Sequence, residues 1–141
     1  MDLKKLLINR LSSFNRIFLL LLALSLASYS SADDVPSIND KIFSKEQAKT
    51  GALLYKDNCL ICHDKKYFRP VFKTWENQPL GTFFLVMSSS MPQDNPGSLT
   101  HQEYIDVLAY ILSLNRYSSG KEKLSNSVDD LNLITIRPRK K

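Results

Sequence analysis

The chain of 141 residues is long enough for one domain of ordinary size and too short for two. Its composition, 43% hydrophobic and 23% charged, is globular and excludes an intrinsically disordered chain. The net charge of +5 comes largely from the first 16 residues, because residues 33–141 contain fifteen basic and thirteen acidic side chains. A nucleic-acid-binding domain normally keeps a strongly basic surface, so this class of function is excluded.

The first 32 residues have the organisation of an export signal. A basic segment ends at Arg16, and a mainly apolar core of eleven residues follows at positions 17–27. Residues 30–32 (Ser-Ser-Ala) then offer a small-x-Ala cleavage site. An uncleaved anchor is the alternative, but a spanning helix needs about 20 apolar residues. We therefore expect residues 1–32 to be a Sec-type signal peptide, and residues 33–141 to be a periplasmic domain with no stable membrane span.

Two helices are predicted from their capping residues. Ser44 is a suitable N-cap, and Gln47 lies three residues later as its capping-box partner. Thr100 and Glu103 form a second capping box, and the apolar stripe that follows ends at Asn115. The chain therefore contains an N-terminal and a C-terminal amphipathic helix.

The segments between and after these helices carry weaker signals. Residues 82–87 are a short apolar run that fits either a helix or a buried strand. Residues 65–75 and 88–98 are predicted to be irregular, since they are polar or rich in turn-forming residues. From about residue 116 the chain has no strong period and is predicted to be a loosely packed tail. The predicted fold class is all-α, with one small helical domain.

The chemistry of the chain is concentrated in the motif Cys59-x-x-Cys62-His63, which contains both of its cysteines. Cysteines of an exported protein usually form long-range disulfides, which two cysteines this close cannot provide. Cys-x-x-Cys-His is the signature of covalent c-type haem attachment. On one helical turn, positions i and i+3 face the same side, so Cys59 and Cys62 can bond two vinyl groups of one porphyrin. His63 is then carried under the ring as the proximal iron ligand.

The motif has three other interpretations. A thioredoxin-like dithiol requires a βαβ context, which flanking helices do not provide. A structural zinc site requires four ligands, and outside the motif the chain has one further histidine, His101. A chance occurrence of two close cysteines and a histidine is the third interpretation. The preferred cofactor is one covalently bound haem c.

Few residues can serve as the distal ligand of the haem iron. Met91 is preferred, because it lies in a turn-rich loop and precedes Pro92, which disfavours helical geometry at Met91. A methionine in an extended loop can direct its thioether at iron from the face opposite His63. The alternatives are Met87, which is more typical of a core position, His101, and an open or water-filled site.

Several segments occur in an order that resembles a known family. They are residues 51–55 (GALLY), the motif at 59–63, Trp75, residues 91–99 (Met-Pro-x-x-x-Pro-Gly-Ser-Leu) and residues 103–112. This order resembles a class I monohaem c-type cytochrome. More narrowly, it is similar to the small cytochrome proteins or domains associated with quinoprotein and sugar or alcohol dehydrogenases.

The resemblance implies a cytochrome c-like helical domain wrapped around one haem, with the first and last helices crossing where Gly51 and Tyr110 meet. It also implies that Trp75 lines the haem pocket. Relatives brace the proximal imidazole with a proline carbonyl, and here Pro70 is the candidate in the loop after His63.

The function that this resemblance implies is electron transfer, by a carrier and not by an enzyme. The haem iron would cycle between Fe(III) and Fe(II), taking electrons from a periplasmic dehydrogenase and passing them to a terminal oxidase or another cytochrome of the respiratory chain. The alternatives are a haem-based sensor or gas-binding protein with a displaceable sixth ligand, and a permanent cytochrome subunit of a dehydrogenase complex.

A basic segment directly after the haem motif suggests how a partner would dock. It contains Lys65, Lys66, Arg69 and Lys73. Near an exposed haem edge these side chains would steer an acidic partner, whereas an ordinary solvated loop is the alternative.

Overall fold

The computed structural model describes residues 35–140, and the predicted signal peptide lies outside these residues. In chain order the helices are α1 (Lys45–Asn58), α2 (Phe68–Thr74), α3 (Leu80–Ser90), α4 (His101–Leu114) and α5 (Val128–Asn132). Within the described range β-pairing is limited to isolated bridges, and the chain forms no strand. The prediction of a mainly helical domain is therefore confirmed.

None of the helices within residues 35–140 combines the length and the hydrophobicity of a membrane-spanning segment.

Helices α1 and α4 begin at the predicted caps. The Ser44 hydroxyl accepts a hydrogen bond from the Gln47 N–H at 3.1 Å. At α4 the capping box is complete, because the Glu103 carboxylate also accepts from the Thr100 N–H at 2.7 Å. The box predicted at Ser44 is only half formed, since the buried Gln47 side chain turns away from it. Its Oε1 accepts from the Leu124 N–H at 2.7 Å, and its Nε2 donates to the Asp106 carboxylate at 3.1 Å.

Helices α1 and α4 cross at Gly51, which has no side chain. A Cβ atom on Gly51 would collide with the Asp106 carbonyl and lie 2.9 Å from the Val107 nitrogen. A crossing at Gly51 was predicted, but its partner there is the α4 backbone and not Tyr110. Tyr110 lies one turn further along α4 and packs edge-on against Tyr55, with ring centroids 5.3 Å apart.

The prediction that residues 65–75 are irregular is wrong, because α2 occupies most of that segment. Phe68 and Phe72 are buried one turn apart and hold this short helix against the core. Pro70 lies in the first turn of α2, where a backbone N–H has no helical partner and proline is tolerated.

The apolar run at 82–87 is the middle of α3, so the helical alternative is the correct one. The helix also continues through three serines that were predicted to be irregular. The hydroxyls of Ser88, Ser89 and Ser90 donate to carbonyls of the preceding turn, at Leu85 and Val86. This local bonding lets serine extend a helix that composition alone does not predict.

The prediction of a loosely packed tail after residue 116 is also wrong. Its apolar side chains Tyr117, Leu124, Leu131 and Ile136 are all buried. The Thr135 N–H donates to the Pro36 carbonyl at 2.8 Å, which ties the two ends of the domain together. The tail packs through single side chains separated by turns, and such packing produces no regular sequence period.

Candidate functional site

An open apolar cleft lies between α2, α3 and α4. Its cavity volume is about 160 Å³. Its apolar walls include Phe68, Val71, Phe83, Met87, Val107 and Ile111. Walls of this kind are typical of a site that binds an apolar ligand and orients it through a few polar groups.

The Cys-x-x-Cys-His motif forms the turn at which α1 ends, beside this cleft. The Cys59 carbonyl accepts from the Cys62 N–H at 3.1 Å and from the His63 N–H at 2.8 Å. Half-buried Cys59 and His63 line the cleft, whereas Cys62 is exposed and lies outside its lining. Both thiols are free, and burial raises the pKa of Cys59.

The His63 imidazole is oriented by packing. Its ring centroid lies 4.1 Å from that of Tyr67 and 5.8 Å from that of Phe68. Its Nδ1 is buried and has no hydrogen-bond partner within residues 35–140. The predicted brace from the Pro70 carbonyl is therefore absent, because Pro70 belongs to a helix and not to an extended loop. Burial lowers the pKa of His63, which favours the neutral, metal-binding imidazole.

A buried tyrosine on α1 fixes the backbone of the motif. The Tyr55 hydroxyl donates to the His63 carbonyl at 2.8 Å. Burial, with a smaller contribution from the neighbouring Cys59 thiol, raises the pKa of Tyr55, so this hydroxyl remains a donor. No local pattern in the sequence indicates this hydrogen bond.

Both candidate methionines line the cleft. Met91 follows α3 in extended geometry (φ −123°, ψ 150°), as the proline after it predicted, and it is half-buried. Its carbonyl accepts from the Tyr104 hydroxyl at 2.6 Å, a positioning contact that the sequence did not indicate. Met87 lies one turn earlier on α3 and is buried.

His101, the third candidate for the distal position, lies outside the cleft lining. Its Nε2 is 2.6 Å from the Asn126 carbonyl oxygen, and its ring packs against Phe84 with centroids 5.0 Å apart. Trp75 is on the cleft wall, edge-on to Phe83 at 5.3 Å. The cleft therefore brings together Cys59, His63, Trp75, Met87 and Met91. Cys62 is exposed and lies outside the cleft lining.

The donor set suits a haem better than a bare metal ion. Within residues 35–140 no three His, Cys, Asp or Glu side chains are grouped so as to hold a metal, so a four-ligand zinc site is not formed there. A c-type haem asks for one imidazole, a soft thioether and two thiols. The His63 imidazole, both methionines and the Cys59 thiol line the cleft, whereas the Cys62 thiol is exposed in the same turn and outside the lining. The buried Nδ1 of His63 has no hydrogen-bond partner within residues 35–140, so this ring nitrogen is free to meet a ligand.

Comparison of the chain with protein-family models, with curated proteins and with solved structures found no match in any of the three.

Proposed function

We propose that this protein is an exported electron carrier that holds one covalent haem c in the cleft. One observation carries the proposal: a single helical turn presents Cys59 and His63 to an apolar cleft whose α3 side bears Met87 and Met91. Cys62, in the same turn, supplies the second thiol of the attachment motif. The chain would serve redox protein partners, such as a periplasmic dehydrogenase and an oxidase or another cytochrome.

When bound, a haem supplies a one-electron Fe(III)/Fe(II) couple whose potential depends on its axial ligands and on its burial. The chain contributes a fixed environment for that couple. Tyr55 holds the backbone of the His63 turn, and Tyr104 holds the backbone at Met91. With a haem in place, the apolar walls would limit the access of water to it, which would tune its potential.

The two methionines are distinguished by spectra of the haem-loaded protein. We expect Met91→Ala to abolish the weak far-red charge-transfer band of methionine bound to ferric iron, and to open the ferrous protein to CO. Met87→Ala is the matched control, because it removes the same side chain one turn away on the same wall. It is expected to leave the band in place.

If Met87→Ala abolishes the band and Met91→Ala retains it, Met87 is the distal ligand. The electron-carrier proposal is unaffected by that result. A wild type that lacks the band and binds CO freely would contradict the proposal, because a displaceable or open sixth position is typical of sensors and gas-binding haem proteins.

A further inference from the structure

A second concave surface, the basic groove, lies between α2, the end of α4 and the C-terminal segment. Its lining contains four cationic side chains, Arg69, Lys73, Arg116 and Arg139, and one acidic side chain, Glu76. All four cationic residues are exposed. The local balance is therefore strongly positive in a domain whose overall charge is close to neutral.

The basic groove is separate from the apolar cleft. Phe68, Val71 and Trp75 line the cleft, whereas Arg69, Lys73 and Glu76 on the same α2 region line the groove. These two sets alternate along the chain at helical spacing, so they occupy different faces of α2. The four basic residues predicted as one docking patch are thus divided, because Lys65 and Lys66 precede α2 and do not line the groove.

Arg116, in the lining of the groove, has an unusual backbone conformation with a φ of +66°. It follows the C-cap Asn115, and the next N–H, of Tyr117, donates to the Leu112 carbonyl at 3.2 Å. This arrangement is a Schellman motif, in which the position of Arg116 is usually glycine because a side chain is strained there. The chain therefore has a cationic side chain in the groove at a position where backbone geometry favours glycine.

We infer that the basic groove binds an acidic segment of a partner protein. Arginine side chains bind carboxylates through two parallel N–H donors, and three of the four cations are arginines. A concave groove fits a narrow chain segment better than a flat anionic bilayer. Glu76 in the lining would repel one charge of a uniform phosphate array, whereas a polypeptide can place a neutral residue there. The inference does not depend on the haem proposal, because none of these residues lines the cleft.

The test compares two variants of the purified full-length protein. Arg116→Gly removes one groove charge and relieves one strained backbone position. Lys41→Gly is the matched control, because Lys41 is also an exposed cation with a positive φ of 57°, but it does not line the groove. The probe is a twelve-residue peptide of alternating Glu and Ser, with affinity measured by fluorescence anisotropy at physiological salt.

We expect both variants to melt a few degrees higher than the wild type, since glycine accepts positive φ without strain. Only Arg116→Gly should bind the peptide about two- to fivefold more weakly, the loss expected for one exposed ion pair. Charge reversal at both α2 positions, Arg69→Glu with Lys73→Glu, should weaken binding at least tenfold, because each change replaces attraction by repulsion.

Three results would overturn the inference. One is unchanged binding in Arg116→Gly, or an equal loss in Lys41→Gly. Another is a lower melting temperature for Arg116→Gly, which would mean that its side chain is retained for stability. The third is tighter binding of single-stranded dT12 or of phosphatidylserine vesicles than of the peptide, which would assign the groove to phosphate ligands. The absorption spectrum of each sample is measured in parallel. It shows whether haem is present and so tests the haem proposal separately from peptide binding.

Discussion

Helix α4 is packed in two different ways on its two sides. Toward α1 it lies so close that a methyl group at Gly51 would collide with the Asp106 carbonyl. Toward α2 and α3, its Tyr104, Val107 and Ile111 border the open apolar cleft. At the Gly51 crossing the α1 side leaves no room for a further atom, and a shallow cavity beside Ala52 and Tyr110 opens only beyond that crossing.

This difference is consistent with the proposed cofactor site. Protein interiors are close-packed, and an apolar space large enough for a ligand is uncommon in a small domain. The crossing of α1 and α4 at Gly51 obeys this rule, and the cleft departs from it beside the motif turn that ends α1. We interpret the packed side as the frame of the domain and the open side as the place of its cofactor.

The packed side is tested most strongly by Gly51→Ala. The added methyl must push apart two backbones, so we expect a loss of about 3 kcal/mol in the free energy of unfolding, at the upper end of overpacking effects. Gly97→Ala is the matched control, because Gly97 has a φ of +75° but no neighbour within 4 Å of an added Cβ. That variant should lose only about 1 kcal/mol, from backbone strain. Equal losses in denaturant titrations would contradict the close crossing.

A second test concerns the buried side-chain amide of Gln47, which joins helix α1 to the C-terminal segment at Leu124. Gln47→Ala leaves the Leu124 N–H without its acceptor, and we expect a loss of about 2 kcal/mol for a buried unpaired group. Gln102→Ala is the control, because exposed Gln102 donates to the same Asp106 carboxylate at 2.9 Å. Its loss should stay within about 0.5 kcal/mol. Hydrogen exchange at Leu124 should accelerate only in Gln47→Ala, and no acceleration would contradict the packed tail.

The open side is tested by removing one hydroxyl. Tyr104→Phe deletes the hydrogen bond to the Met91 carbonyl and should cost about 1 kcal/mol of stability. In the haem-loaded protein it should also weaken the methionine–iron band, because the backbone at Met91 is then less restrained. Tyr55→Phe, which deletes the matching bond to His63, should lower stability by a similar amount and spare that band. Loss of the band in both variants would show that stability alone controls it.

The smallest expected effect is the pH dependence of the α4 cap. Hydrogen bonds from the Thr100 backbone N–H, and then from its hydroxyl, hold the pKa of Glu103 below its ordinary value of 4.5. The ionised carboxylate therefore stabilises the fold above that value, and this contribution is lost as the pH falls through the folded pKa. Glu103→Gln should flatten the stability profile below pH 4.5. An unchanged profile in Glu103→Gln would contradict the complete capping box at α4.

Local signals in the sequence predicted part of this structure well. Thr100 and Glu103 predicted the start of α4, and Pro92 predicted the extended backbone of Met91, because both effects act within a few residues. The close approach at Gly51 was anticipated through the family resemblance, although its partner was not. Spacing also predicted that residues 59–63 form one turn.

Longer-range features could not be predicted from local patterns. Helix α2 depends on Phe68 and Phe72 entering a core that is built from other helices. The buried tail depends on Gln47, a residue 77 positions before the Leu124 N–H that it binds. The hydroxyls of Tyr55 and Tyr104 reach backbone carbonyls that only tertiary packing brings near. For the same reason the basic groove joins residues from three separate parts of the chain.

The central claim, that the open side of α4 holds a haem bonded to Cys59 and Cys62, is tested most directly by the mass of the purified protein. The sample is denatured and extracted with acid–acetone before intact mass spectrometry. We predict a mass that exceeds the apoprotein by one haem, carried on the peptide that contains residues 59–63. The double variant Cys59→Ala with Cys62→Ala should lose this added mass. A colourless wild-type protein at the apoprotein mass would contradict the account.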